Sequence, residues 1–322
     1  KHEVPDVITL DVEMPRMDGI TFLRRLMAQR PIPVVVCSTL VGEGTHTMMA
    51  ALDAGAVDVV KKPMVGTKRF LEESRIQIQD KVIAASQARL RGRTQRPQTP
   101  APSTATAESP ITPAKSPAQP RPAGRTAGGP IDRIIAVGAS TGGTDAIRAL
   151  LEPLPIDAPP LLIVQHMPEN FTRAFAARLD SVCRITVREA GGGERLQRGT
   201  AFIAPGNMHM RIKRSSAGLV TDVQDGPLIS RHRPSVDALF HSVADVARDK
   251  ATGVILTGMG RDGAEGLLAM RKAGAATIGQ DENTCIVYGM SRVAREIGAI
   301  EQEAPLGKIA AMMIAGKTRA RA

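Results

Sequence analysis

A serine, a histidine and an aspartate in this chain have the types and positions that acyl-transfer chemistry needs. Ser140 occupies the centre of a G-x-S-x-G pattern, which places a serine at a sharp turn between a strand and a helix. A serine hydroxyl is a weak nucleophile until an imidazole accepts its proton, and His166 could do so. Asp262 could orient that imidazole and stabilise its cation. The turn around Ser140 taken alone also fits a phosphate-binding loop or a strand–helix turn without chemistry.

Strands and helices predicted from hydrophobic patterning would bring these three residues together. Short apolar runs span 134–137, 161–165 and 253–257. They end a few residues before Ser140, directly before His166 and five residues before Asp262, respectively. Helical patterns separate the runs, which predicts a parallel, doubly wound sheet. Because the carboxyl ends of parallel strands share one rim, the three side chains can converge there. A β-hairpin insertion is predicted over 208–230.

Backbone N–H groups in the glycine-rich turns, at Thr141 or Met259, could hold the oxyanion of such a reaction. No H-E-x-x-H or similar spacing occurs, so no metal and no cofactor is expected for catalysis. The remaining histidines are expected to be surface or core residues without a catalytic role; they are His2, His46, His209, His232 and His241.

A second group of polar residues follows three predicted strands near the N-terminus. Asp11, Ser38 and Lys62 each stand at a strand end, so they would share a rim of their own. A carboxylate, a hydroxyl and an ammonium could together receive, hydrogen-bond and neutralise a phosphoryl group. We therefore predict an α/β domain over 1–90, a disordered Pro/Ala/Arg-rich linker over 91–129, a second α/β domain over 130–316 and a basic tail over 317–322.

The 322 residues carry a net charge of +10, but most of the excess lies in the predicted linker and tail. The folded parts are close to neutral and Trp is absent, which argues against a nucleic-acid partner. No apolar run is long enough to span a membrane, so no membrane insertion is expected. Three separated cysteines, with no C-x-x-C, fit a reducing cytoplasm. We expect a cytoplasmic monomer.

Two other functions compete with the esterase. Gly258 to Gly263 also reads G-x-G-x-x-G between a predicted strand and helix, and Asp281 follows, as in dinucleotide-binding domains. Asp262, however, would stand where the pyrophosphate binds and repel it. The other alternative is a response regulator with a nucleotide- or DNA-binding effector domain, although no helix-turn-helix pattern is visible.

Two resemblances favour the esterase. Leu10 to Gly19, with Lys62-Pro63 downstream, resembles a response-regulator receiver domain; that implies Asp11 as phospho-acceptor, Ser38 as switch hydroxyl and Lys62 as partner lysine. Five motifs over about 131–315 resemble the chemotaxis methylesterase family CheB: Gly138-Ala-Ser-Thr-Gly-Gly143, Gln165-His-Met-Pro168, Arg231-His-Arg-Pro-Ser-Val-Asp237, Gly258-Met-Gly-Arg-Asp-Gly263 and Gln280-Asp-Glu282.

The second resemblance implies hydrolysis of glutamate γ-methyl esters on chemoreceptors, with possible deamidation of receptor glutamines. It implies Ser140 as nucleophile, His166 as base and Asp262 as its orienting carboxylate. It also implies a chemotaxis histidine kinase as phosphodonor and a receiver that blocks the active site until phosphorylation. Arg231 and Arg233 are candidates for contact with acidic receptor helices, although a solvated loop explains them equally well.

The expected fold is thus a truncated, flavodoxin-like receiver followed by a doubly wound, mostly parallel, Rossmann-like methylesterase domain with a β-hairpin insertion. Receivers begin with a strand that ends in an acidic pair, which holds Mg²⁺. That pair is absent from this chain, so we expect its receiver not to bind Mg²⁺ normally. We also expect half a receiver to dock poorly on the esterase.

Overall fold

The computed structural model describes residues 4–12, 14, 18–38, 44–62, 68–90, 131–216 and 218–316. The predicted linker and basic tail lie outside these residues. Within the described ranges no helix is long and apolar enough to cross a membrane.

The N-terminal domain is a three-stranded parallel sheet in the order β1-β2-β3 with three helices. Its core forms because Val34, Val35 and Val36 are all fully buried, as expected for a central strand covered on both faces. The elements are β1 (Ile8–Asp11), α1 (Gly19–Gln29), β2 (Val34–Ser38), α2 (Gly44–Asp53), β3 (Asp58–Lys61) and α3 (Lys68–Ser86). All six coincide, within a few residues, with the elements predicted from the sequence.

The C-terminal domain is built on a seven-stranded sheet in the order β12-β11-β10-β4-β5-β7-β6, and every strand pair in it is parallel. Its strands are β4 (Ile134–Ala139), β5 (Leu161–Gln165), β6 (Thr186–Glu189), β7 (Thr200–Ile203), β10 (Ala251–Ile255), β11 (Ala276–Gln280) and β12 (Gln302–Ala304). The strand order reverses beside β4, and ligands of doubly wound sheets bind at such a switch point.

Helices cover both faces of this sheet because side chains alternate along each strand. Ile135 and Val137 pack in one hydrophobic cluster, whereas Ile134 and Ala136 pack in the other. The helices are α4 (Gly143–Leu151), α5 (Phe171–Val182), α6 (Val236–Ala247), α7 (Ala264–Lys272), α8 (Met290–Glu296) and α9 (Leu306–Ala315), with a short 3₁₀ turn at Arg248–Lys250. Burying a side chain such as Phe240 contributes about 1.5–3 kcal/mol to folding.

The predicted insertion is an antiparallel hairpin formed by β8 (His209–Ser215) and β9 (Gly218–Gln224). The predicted doubly wound sheet with a hairpin is therefore confirmed. The sequence patterns gave no prediction for α8, β12 and α9.

The two domains are packed together. Helix α2 lies against α5, and an ion pair joins Asp53 to Arg178 there. Helix α3 reaches the carboxyl-end rim of the seven-stranded sheet, where the Asp80 carboxylate lies 3.3 Å from the Arg231 guanidinium. The expectation that the receiver-like part would dock poorly is wrong in this structure, because apolar and polar contacts hold both ends of the interface.

Candidate active site

Ser140 follows β4 directly, at the tight turn that the sequence predicted. Its N–H donates to the Thr257 carbonyl at 3.0 Å, and its carbonyl accepts from the Gln165 side chain at 2.9 Å. Gly142 adopts φ +76°, a conformation that favours glycine. A Cβ on Gly138 would lie 2.2 Å from Val236 Cγ1, so this turn also has no room for a larger residue. Ser140 is thereby fixed at the wall of a cavity of about 900 Å³.

His166 occupies the matching position on the neighbouring strand. Ala139 and Gln165 are paired across β4 and β5, so Ser140 and His166 are the next residues along each strand. His166 Nε2 lies 2.8 Å from Asp262 Oδ2, whereas Nδ1 is buried and has no partner among the described residues. A carboxylate only accepts hydrogen bonds, so Nε2 carries the proton and Nδ1 keeps its lone pair. Nδ1 is therefore the nitrogen that can act as a base.

Asp262 is fully buried at the N-terminus of α6. Its two oxygens accept hydrogen bonds from the Ser235 hydroxyl at 2.7 Å and from the N–H groups of Val236 and Asp237 at 2.7 and 3.1 Å, as well as from His166. These donors and the positive end of the helix dipole stabilise a negative charge at this position. The carboxylate is consequently rigid and holds one end of the imidazole.

The receiver-like domain also contacts His166 and lowers its pKa. Burial is the main cause that lowers the pKa of His166 to about 3, and the ammonium of Lys81 on α3 is the second. Lys81 Nζ lies 3.5 Å from the His166 carbonyl and pairs with the carboxylate of Asp58, the first residue of β3. Asp58 in turn accepts a hydrogen bond from the Thr141 hydroxyl at 2.8 Å. The docked domain thus contacts Thr141, the residue after Ser140, and His166 itself.

The two oxyanion candidates lie on the same cavity wall as Ser140. The carbonyl of Thr141 accepts from the Thr257 hydroxyl at 3.0 Å, which fixes the orientation of this turn. Neither the Thr141 N–H nor the Met259 N–H donates to another described residue, so both remain available to a ligand in the cavity.

His232 is a site residue that the sequence argument missed. Its ring stacks on that of His166, with centroids 3.7 Å apart and planes 12° from parallel. Burial and the adjacent His166 lower the pKa of His232 well below its usual value, so both rings are neutral at pH 7. The sequence predicted a surface or core histidine without function here, whereas the structure places His232 in the cavity wall beside His166. Only its place in the Arg231–Asp237 motif could have indicated the site.

The two candidate arginines have different surroundings. Arg231 is exposed on the cavity rim and pairs with Asp80 across the domain interface. Arg233 is mostly buried, and its guanidinium donates to the Asn207 side chain at 2.7 Å and to Asp225 at 3.0 Å. Of the two guanidinium groups, that of Arg231 is therefore the more accessible from the cavity.

The predicted phosphoryl site is assembled at the rim of the three-stranded sheet. Lys62 Nζ lies 2.5 Å from Asp11 Oδ2, and Lys62 N donates to the carbonyl of buried Ser38 at 2.9 Å. The structure thus brings Asp11, Ser38 and Lys62 together, as the strand-end argument predicted. No group of three His, Cys, Asp or Glu side chains that could hold a metal exists in the part of the chain that the structure describes.

The G-x-G-x-x-G turn positions Asp262 beside His166 and does not form a dinucleotide site. Asp262 points from this turn to His166 and α6, which leaves a buried carboxylate where a pyrophosphate would bind. Asp281 accepts from the Thr284 N–H at 2.9 Å and caps a local turn.

Comparison with known proteins matches both domains. Residues 135–313 match the family model of CheB methylesterases, and residues 1–73 match that of response regulator receiver domains. A protein-glutamate methylesterase/protein-glutamine glutaminase of Geobacter metallireducens is 55% identical over 96% of this chain and 85% of its own. A second, from Rhodospirillum rubrum, is 54% identical over 96% of this chain and 85% of its own.

A solved structure agrees with the family match. The CheB methylesterase catalytic domain of Thermotoga maritima superposes with a TM-score of 0.56 at 35% identity, over 57% of this chain and 97% of that domain.

Proposed function

Because the chain belongs to the CheB methylesterase family, we propose that Ser140, His166 and Asp262 are the catalytic residues of a protein-glutamate methylesterase. The enzyme is a hydrolase with a receiver domain, and the same active site accounts for the glutaminase activity in the names of its relatives. The observation that supports these roles best is the buried Nε2–Asp262 bond, which leaves Nδ1 as the free base on the strand next to Ser140.

The reaction proceeds in two stages. Ser140 Oγ attacks the γ-carbonyl carbon of a methylated glutamate while His166 Nδ1 takes the hydroxyl proton. The tetrahedral intermediate collapses when the C–O bond to the methyl ester oxygen breaks and His166 returns the proton, which releases methanol. Water then attacks the acyl-enzyme with His166 again as base, and glutamate and free Ser140 are restored. A glutamine substrate releases ammonia at the first stage instead.

The oxyanion of the intermediate is held by the N–H groups of Thr141 and Met259. Each such donor lowers the barrier by about 3–4 kcal/mol when it is aimed in advance at the developing charge. Both groups lack a protein acceptor among the described residues, which supports this role.

The proposed substrates are methyl-accepting chemotaxis receptors, and the proposed phosphodonor is a chemotaxis histidine kinase. Arg231 is the better of the two arginines for contact with acidic receptor helices, because Arg233 is already bound within the domain. The cytoplasmic, monomeric state stays a prediction.

Phosphorylation of Asp11 is proposed to separate the two domains. A phosphoryl group on Asp11 would displace Lys62 from its present bond, and Lys62 follows the last residue of β3. The first residue of that four-residue strand is Asp58, which holds Thr141 and Lys81 at the active site. A shift of β3 is thereby transmitted to the residue beside the nucleophile.

Mg²⁺ is the expected cofactor of this phosphorylation. Asp11 offers one carboxylate, already bonded to Lys62, whereas Mg²⁺ is ordinarily held by several oxygen ligands. The described residues do not by themselves fit the ion.

The test of the proposed function is methanol release from methylated receptor membranes by the full chain. Ser140→Ala should lower the rate by about 10⁴-fold or more, because the nucleophile is removed. Ser181→Ala, which removes an exposed hydroxyl on α5, is the matched control and should keep wild-type activity. Equal rates for wild type and Ser140→Ala would remove Ser140 from the mechanism.

A further inference from the structure

We propose that His232 is a positioning residue of the esterase, whose stacked ring fixes the plane of His166 so that Nδ1 faces Ser140. The proposal rests on the proposed role of His166 as the base. It concerns how that base is oriented, which neither the family match nor the identity of the three catalytic residues specifies.

The first observation is that the hydrogen bonds of His166 do not determine its ring plane. The ring is bonded to Asp262 through Nε2 alone, since Nδ1 has no partner in the described structure. A single bond at one corner leaves the ring free to tilt about that contact. The parallel imidazole of His232, 3.7 Å away, restricts the tilt and excludes water from that face. The lone pair of Nδ1 then keeps one direction, as a base in a near-attack geometry requires.

The second observation is that His232 is held in a tight turn with an unfavourable backbone conformation. Ile229 and His232 exchange two backbone hydrogen bonds, at 3.1 and 2.9 Å. The two residues between them, Ser230 and Arg231, adopt φ +48° and +70°, which non-glycine residues rarely do. The Ser230 hydroxyl donates to Asp237 at 3.3 Å, which helps to hold this unfavourable backbone. Strain of this kind persists where the surrounding structure enforces a functional geometry.

The third observation concerns the charge that forms during the reaction. When His166 takes the serine proton it becomes a cation, and the π face of a neutral ring attracts a cation held over it. Burial keeps His232 neutral, so its face does not repel the imidazolium. The charged and titratable groups that face His166 from the surrounding elements are Asp262, Asp237, Asp58, Lys81 and His232.

The experiment compares three variants of the full chain: His232→Phe keeps a flat neutral ring, His232→Gln keeps a polar edge without the ring, and His232→Ala removes both. Two rates are measured from pH 5 to 8: methanol release from methylated receptor membranes, and covalent labelling of Ser140 by a small fluorophosphonate. We expect Ala and Gln to lower kcat and the labelling rate about 10- to 100-fold with little change in KM, as for a misplaced catalytic group. We expect Phe to stay within about threefold of wild type.

The pH profiles give a second readout. Loss of the stacked ring admits water to His166, so the acid limb of the labelling rate should move to higher pH in Ala and Gln but not in Phe. Wild-type behaviour of Gln, or equal losses in Phe and Gln, would overturn the proposal, because the ring would then not be what matters. If Ala fails to fold, the Phe–Gln comparison decides alone. If wild type neither releases methanol nor is labelled at Ser140, the proposed function has failed instead.

Discussion

Two rims in this molecule are built on the same plan and have opposite surroundings. In each, a parallel sheet delivers three polar side chains from the carboxyl ends of its strands. Ser140, His166 and Asp262 are 7%, 5% and 0% exposed, whereas the side chains of Asp11 and Lys62 are 38% and 32% exposed. The first rim, here called the dry rim, is buried, whereas in the second, the open rim, Ser38 is buried and the Asp11–Lys62 ion pair is partly exposed.

The difference follows from the chemistry of each rim. A general base works only when its lone pair points at the proton that it accepts and when the base is unprotonated. Burial and fixed partners provide both conditions. A phospho-acceptor must meet a phosphodonor from another protein and then change its partners, so its ion pair has to be accessible and weak. With the proposed roles, the same sheet architecture serves a catalyst and a switch, and burial distinguishes the two.

The largest effect should come from the dry rim. We expect Asp262→Asn to lower methanol release about 10³- to 10⁴-fold, because an amide at this position would favour the wrong tautomer of His166. It should also destabilise the fold by about 1–3 kcal/mol, since the N–H donors of α6 lose part of a buried acceptor. The measurements are the rate and the free energy of unfolding in urea. A loss of activity below tenfold would contradict the assignment of Asp262.

An intermediate effect should come from the contact between the two domains. Lys81→Met removes the ammonium that lowers the pKa of His166 and unpairs Asp58. The His166 pKa should then rise above about 3, although burial, the larger cause, still holds it below 6.5. The rise makes Nδ1 a stronger base at pH 7 and moves the acid limb of activity to higher pH. We expect Ser140 labelling by the fluorophosphonate to accelerate about three- to tenfold at pH 7.5.

The matched control for Lys81→Met is Lys213→Met, which removes a half-exposed lysine of the hairpin that pairs with Asp222. It should leave the labelling rate unchanged. A slower rate in Lys81→Met than in this control would show that the docked domain assists the base rather than restrains it.

The smallest effect should come from the open rim. Lys62→Met should change the free energy of unfolding by less than about 1 kcal/mol, because an ion pair that water can reach contributes little. Its basal methanol release should stay at the wild-type level, whereas the stimulation by a phosphodonor should be lost. Urea unfolding and the paired rate measurement test this, and a stability loss similar to that of Asp262→Asn would remove the distinction between the rims.

The sequence alone determined the elements and the residue types. Continuous apolar runs located the strands β4, β5 and β10, and helical patterns located helices between them. The strand ends then predicted the positions of Ser140, His166 and Asp262. These features are local, so a single sequence contains them. The terminal elements α8, β12 and α9 are short or lie after the last strong pattern, and no prediction was made for them.

Only the tertiary structure decided how those residues face each other. Which imidazole nitrogen meets Asp262, which ring stacks on His166, and which carboxylate holds Thr141 depend on side-chain directions across 96, 66 and 83 residues of sequence. Spacing along the chain does not determine such directions, because they result from packing among several elements at once. The sequence placed His232 in the Arg231–Asp237 motif, but only the structure shows that its ring stacks on His166.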